Sequence, residues 1–437
     1  MPSATIPAAT GLRRIFGNLG LLISGKAGAG LISLAYLVIV ARTLGASGYG
    51  VLILIHAYVT LVGGIVAFSG WHGIVRFGAL ALEEGDHDRF LRLGRLLTLI
   101  EFGFGAAAIL VAILLVPVVG PHMEWPPEAM RFAAVYSLAT LANVRSTPLG
   151  VLQLAGRFEL IAAHHLISPG VRLVGSILVW ALGGGLVGFL GVWLAAAIAE
   201  WASMWAFGLW ALRRLNVTAP LIGPVRGAVG ENAGLVPFIA TTNVDITLRE
   251  LAPRLVPLAI GWILGPAAAG LFSLAQRASV VLEQPATLLG QASYAVLAKL
   301  VAERDFAQLR RAVSHSAAMA LALSIPVLIL LAFFSNPILG LLGGTTFRGG
   351  ATLLILLALG RAVSIAAPPY SSGLIAMGLP SRSILVNLVS NLLLFPLLPL
   401  FLLWFGINGA GWHAVVQAAV ATAGVAFLFR TSARRIA

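Results

Sequence analysis

The stretch NVDITLRELAPRLV, residues 243–256, carries Asp245, Arg249, Glu250 and Arg254 between the apolar runs GLVPFIATT and PLAIGWILG. A charged side chain at the centre of a bilayer costs about 2.5–3.5 kcal/mol on insertion scales, so it faces a bundle interior or a wet cavity. Asp245 and Arg249 are four residues apart, as are Glu250 and Arg254, each with the acid on the favourable N-terminal side. Two intrahelical ion pairs would lower the insertion cost and do nothing further. On a helix, however, Asp245 and Glu250 fall about 140° apart at ~100° per residue, too far for one narrow stripe. At least one charge then looks into a cavity or toward a partner helix. Pro253 and Pro257 free backbone groups beside these charges, which a wet cavity tolerates and lipid does not.

The other charges within or at the edges of apolar runs are Lys26, Arg76, Arg131, Arg145, Arg172, Arg277 and Arg361, with Glu101, Glu200 and Glu283. With the opening stretch this makes nine bases against five acids, a surplus of four positive charges. Lys26 lies about ten residues past the start of its helix, deep for a side chain that must reach the interface. Lysine and arginine offer fixed donors to phosphate oxygens, arginine bidentately. A cationic cargo would want the opposite balance. Among the acids, Asp245 is the first choice for a coupling ion, and Glu250, Glu101, Glu200 and Glu283 either share that role or pair with the bases.

Other chemistries are excluded. The absence of cysteine removes disulfides, thiolate catalysis and thiolate metal sites. The eight histidines are scattered, and the adjacent His164 and His165 point apart on a helix, so no metal site follows and no cofactor is expected. GLLISGKA (20–27) fits G-x-x-x-x-G-K, but Ala27 stands where a magnesium-holding hydroxyl belongs and no strand precedes it. The spacings Ser24–Gly28 and Gly25–Ala29 read instead as close helix packing. The segment EEGDHDRFLRLGR reads as a solvated loop or amphipathic surface segment.

The elements that must position these charges are membrane helices. Of 437 residues, 59% are hydrophobic and 10% charged, against about 25% charged in soluble domains. With Gly, Pro and charge clusters as breaks, twelve spans follow, at 17–41, 50–72, 96–119, 131–154, 159–182, 187–211, 234–260, 268–294, 313–334, 351–375, 383–405 and 408–429. With the N-terminus in the cytoplasm, 17 of the 28 basic residues fall on the cytoplasmic side and only Arg42 and Arg348 opposite, so both termini are expected inside. The net charge of +13 is therefore a topology signal rather than a nucleic-acid one. Trp125, Trp180, Trp262 and Trp404 fall at predicted outer ends, as an aromatic belt. LRRIFGN near the N-terminus runs into an uninterrupted span, unlike a cleaved twin-arginine signal.

The chain also repeats itself. LGASGYGV (44–51) matches LGPAAAGL (264–271) at offset 220, FLRLGR (90–95) matches FAQLRR (306–311) at 216, and LQLAGRF (152–158) matches LIAMGLP (374–380) at 222. At offset 220 Asp245 aligns with Gly25 and Ile246 with Lys26, so both leading helices become polar at one depth. Six spans per half is even, which predicts parallel repeats related by an axis along the membrane normal. The expected fold is an all-α polytopic membrane protein, about twelve helices in two parallel-repeat six-helix bundles around a central cavity. The expected parts are 1–211, a cytoplasmic linker 212–233, and 234–437.

With its six-plus-six spans, the ARTLGASGYG turn, the basic loop after span two and GVLQLAGRF after span four, the whole chain resembles the oligosaccharide flippases. These form the polysaccharide-transport branch of the multidrug/oligosaccharidyl-lipid/polysaccharide (MOP) exporter superfamily. The resemblance implies translocation of a polyprenyl-diphosphate-linked oligosaccharide across a bacterial inner membrane by alternating access, without covalent chemistry. It makes Lys26, Arg249 and Arg254 the leading candidates for the diphosphate, followed by Arg145, Arg172 and Arg361. A polysaccharide polymerase or synthesis complex is the candidate protein partner. A drug antiporter of the same fold is the alternative within the class. A membrane glycosyltransferase or polymerase fits less well, because the outer segments near 120–130 and 335–350 offer only Glu124, Glu128, His122 and Arg348.

Overall fold

The computed structural model describes residues 8–66, 68–215, 217, 221–280, 297 and 300–436. Among these the structure is helical with no strand, and nine helices are long and apolar enough to cross a membrane. Two of those helices are each interrupted by a non-helical glycine, one further expected span is broken, and residues 281–294 of the expected eighth span lie outside the described residues. The helix Ala8–Val66 covers the expected spans one and two and is non-helical at Gly45 (φ 66°, ψ −177°), and Leu235–Ser279 covers the expected span seven and the start of span eight and is non-helical at Gly265 (φ 81°, ψ 175°). That backbone conformation belongs almost to glycine alone, which is why an LG pair, at 44–45 and 264–265, stands at each kink.

The fourth span, expected as continuous over 131–154, is three pieces: a helix Pro127–Tyr136, a 3-10 stretch Ser137–Asn143 and a restarted helix Ser146–Leu154. Pro148 sits in the first turn of the restart, where no backbone donor is needed. The tenth span breaks likewise between Ala351–Ser364 and Ala367–Ala376, with Pro368 and Pro369 in the new first turn. Spans two and eleven contain π turns, Ile74–Gly78 and Val389–Leu393.

The internal repeat is written in the backbone. Left-handed φ values pair Gly45 with Gly265, Gly85 with Arg304, Glu124 with Gly344, Gly156 with Gly378 and Gly183 with Gly406, at offsets between 219 and 223. Asp86 and Asp305 cap the following helices identically, accepting from Arg89 N at 2.8 Å and Gln308 N at 2.9 Å. This corrects one register. The FLRLGR–FAQLRR match at offset 216 is displaced, since the two caps set the offset at 219. A slip of about one helical turn leaves the apolar pattern nearly unchanged, so the sequence match could not expose it.

Two compact units result, Met1–Thr43 with Tyr58–Leu251, and Leu44–Ala57 with Ala252–Ala437. These boundaries differ from 1–211 and 234–437, since residues 44–57 join the second unit and 234–251 the first. The close approach in the second unit has a steric basis. A Cβ on Gly50 would stand 1.8 Å from the Pro266 carbonyl oxygen, and one on Gly270 2.3 Å from that of Ala46. Only glycines let these backbones touch. The core of the first unit gathers Ile74, Phe90, Leu93, Leu97, Val151 and Leu152; that of the second gathers Leu309, Val313, Leu374, Val425 and Phe429.

Candidate substrate-binding sites

In the first unit the helix carrying Lys26 lies directly on Phe158–Ala181. A Cβ on Gly25 would fall 2.7 Å from the Ala162 carbonyl oxygen, and one on Gly28 3.2 Å from Leu166. The small residues thus pack the helix, and Lys26 between them is exposed.

The break in span four collects the intramembrane polar groups of this unit. Glu101, 2% exposed, accepts from the backbone N–H of Ser146 and, at 3.0 Å, of Thr147. Its carboxylate caps the restarted helix, where the helix dipole also favours negative charge. Ser146 Oγ accepts from Trp71 N at 2.8 Å, tying this break to the helical turn Trp71–Gly73, and Trp205 Nε1 donates to the Val144 carbonyl at 2.7 Å. Arg145 pairs with Glu200 and donates to His164 Nε2 at 2.7 Å. An arginine only donates, so the His164 proton sits on Nδ1 and goes to Ser203 Oγ at 3.2 Å, whose hydroxyl donates to the Glu200 carbonyl at 3.1 Å. The chain of donors closes on itself.

Arg172 takes a different environment. Its guanidinium lies 4.4 Å from the Trp193 ring centre and 5.9 Å from that of Tyr36, and it donates to the Tyr36 hydroxyl at 3.3 Å. Aromatic faces stabilise a desolvated cation without an acid. Arg145, Arg172, Glu101 and Glu200 are thus held by internal partners, whereas Lys26 is presented outward.

The second unit contains a cavity of about 730 Å³. Arg361 lies on its wall, with Nε donating to Ser279 Oγ at 2.8 Å. Gln276, Asn391, His413 and Gln417 also line it, with Phe272 and Phe395 supplying aromatic faces. Gln417 Nε2 donates to Asn391 Oδ1 at 2.9 Å, and His413 Nε2 to the Leu394 carbonyl at 2.9 Å, both on the broken eleventh span. Sequence reasoning missed these polar residues. A signal existed in WHAVVQ, where His413 and Gln417 stand four apart on one face of an otherwise apolar helix. No carboxylate is found among the described lining residues.

Arg254 is half-buried on the helix Leu235–Ser279. Asp245, Arg249 and Glu250 lie on the same helix, their side chains outside the described set, and Glu283 lies outside the described residues. Among the described residues no cluster of three His, Asp or Glu could hold a metal. Trp180, Trp262 and Trp404 are exposed, but Trp125 is only 3% exposed and packs edge-on against Tyr58 at 5.6 Å, so it is core rather than belt.

Known proteins share this architecture. The chain is similar to the inner membrane protein YghQ of Escherichia coli (strain K12), 25% identical over 288 residues that cover 66% of this chain and 81% of that protein. Its fold matches an inward-facing multidrug resistance MATE family transporter of the MOP superfamily with a TM-score of 0.76 at 15% identity, covering 93% of this chain and 95% of the other. It also matches the lipid II flippase MurJ in an inward closed conformation, with a TM-score of 0.70 at 15% identity over 95% and 89%. The molecule is therefore a multi-pass membrane protein on a transporter fold. Residues 39–349 match the family described as polysaccharide biosynthesis protein, and the chain belongs to that family.

Proposed function

We propose that this protein is a flippase that moves a polyprenyl-diphosphate-linked oligosaccharide, an O-antigen or exopolysaccharide repeat unit, from the inner to the outer leaflet by alternating access. The observation that carries this reading is the cavity at Arg361. Amides, hydroxyls, an imidazole and aromatic faces suit a glycan, and one guanidinium suits a phosphate. A cationic drug would want a carboxylate there, and the described lining has none. Lys26, exposed within its span, is the matching cation of the first unit, with Arg254 and Arg249 as further diphosphate contacts. Transport needs no covalent step. The membrane would be the bacterial inner membrane, with both termini cytoplasmic, and a polysaccharide polymerase would be the neighbour on the inner face.

The test is leaflet exchange of a fluorescent polyprenyl-diphosphate oligosaccharide in proteoliposomes. Wild type is expected to support exchange, and Lys26→Ala/Arg361→Ala to slow it at least about tenfold, a loss of ~1.4 kcal/mol. Exchange equal in both would remove these two cations from the pathway. Efflux of a cationic dye by wild type, without lipid exchange, would replace the flippase with a drug antiporter.

A further inference from the structure

Beside Ile65 and Phe68, the first unit holds a second cavity, about 550 Å³, of a different character. Ile65, Phe68, Leu96, Ile100, Phe104 and Val236 give it hydrocarbon walls, with Phe68 and Phe104 stacked at 6.0 Å. Its one amide is already engaged, since Asn243 Oδ1 accepts from Ser69 N at 2.6 Å and Nδ2 donates to the Ile239 carbonyl at 2.9 Å. The groove is open, because Ile65, Phe104, Val229, Val236 and Val244 are all exposed. Along the helix it runs from Leu235 to Thr247, about 18 Å at ~1.5 Å per residue. That is close to one leaflet of a hydrocarbon core ~30 Å thick.

The inner mouth is basic. Arg92 and Arg95 occupy the turn before Leu96, and Arg226 precedes Val229 by three residues. Arg92 is paired with Glu231 at 2.8 Å. Arg95 lies against Gly223, on the loop that carries Arg226, where an added Cβ would stand 2.9 Å from the guanidinium carbon.

We propose that this groove binds an anionic phospholipid of the inner leaflet, one acyl chain along the helix from Leu235 to Thr247 and the phosphate at Arg95 and Arg226. Its length matches one leaflet, so an ordinary acyl chain fits where a polyprenyl tail would overrun. Its charge complements an anionic headgroup. An occupied groove fastens the inner half of that helix to His87–His122 and protects the Asn243–Ser69 contact, so the bound lipid is a regulator of the helix rather than cargo.

Native mass spectrometry of the purified full chain tests this, with phosphatidylglycerol, phosphatidylcholine and a polyprenyl phosphate as probes. Phosphatidylglycerol is expected to bind about tenfold or more tightly than phosphatidylcholine. Arg95→Gln/Arg226→Gln is expected to lose about fivefold per arginine, and Ala240→Trp, which fills the groove from an exposed position, to abolish the preference. Should Ala240→Trp fold poorly, Val236→Phe serves the same purpose. Equal binding of the two phospholipids, or binding unchanged by both kinds of variant, would overturn the proposal. Displacement of phosphatidylglycerol by equimolar polyprenyl phosphate would overturn it too, and hand the groove to the carrier tail.

Discussion

Glu101 and Arg361 are both charges inside the membrane, yet one is structural and the other lines a cavity. The difference lies in what each touches. Glu101 satisfies two backbone donors that the break in span four sets free. An unsatisfied buried donor costs about 1–3 kcal/mol, so Glu101→Ala is expected to destabilise by roughly 2–4 kcal/mol and Glu101→Gln by less, because the amide keeps one acceptor. Thermal midpoints in detergent check the order; an alanine variant as stable as wild type would refute the capping role. Arg145 and Glu200 make a sharper comparison. Removing one partner strands the other, so Arg145→Ala should lower the midpoint more than Arg145→Ala/Glu200→Ala does. The sequence placed Glu101, Glu200, Arg145 and Arg172 among the intramembrane charges but not in these roles. Their partners lie 45, 55 and 136 residues away in the chain, beyond any local pattern.

At the scale of elements, the glycine kinks and the helix breaks organise the helices. Spans and their ends were legible, because twenty apolar residues in lipid can only be a helix. The interior breaks were not. Span four read as continuous, since Ser, Thr and Asn at 137–146 remain compatible with helix until their backbone groups find other partners. The kinks were visible as a repeated LG pair, but the need for Gly50 and Gly270 was hidden, because it arises from backbone facing backbone. Gly270→Val is therefore expected to be more disruptive than Gly103→Val, where an added Cβ meets nothing within 4 Å. Backbone atoms cannot step aside as side chains do, and overpacking typically costs about 1–3 kcal/mol. Comparable yields and midpoints for the two variants would show the contact to be slack.

For the whole molecule, the five left-handed pairs make the repeat a property of the backbone, not only of the residue pattern. An even number of crossings in each half would return the chain to its starting side, and the basic loops would then set which side that is. A C-terminal fluorescent-protein fusion is accordingly expected to glow and an alkaline phosphatase fusion to stay inactive; a fusion after Arg348 should reverse both readouts. Active phosphatase at the C-terminus would invert the topology.

The sequence by itself determined the class, the apolar helices and the repeat, because hydropathy acts locally and lipid permits few alternatives. Only the tertiary structure decided which intramembrane charges are engaged, that residues 44–57 pack with the second unit, and that Asn391, His413 and Gln417 meet around one cavity. Those outcomes depend on contacts between segments far apart in the chain, where one glycine or one distant carboxylate selects between packings that composition cannot tell apart.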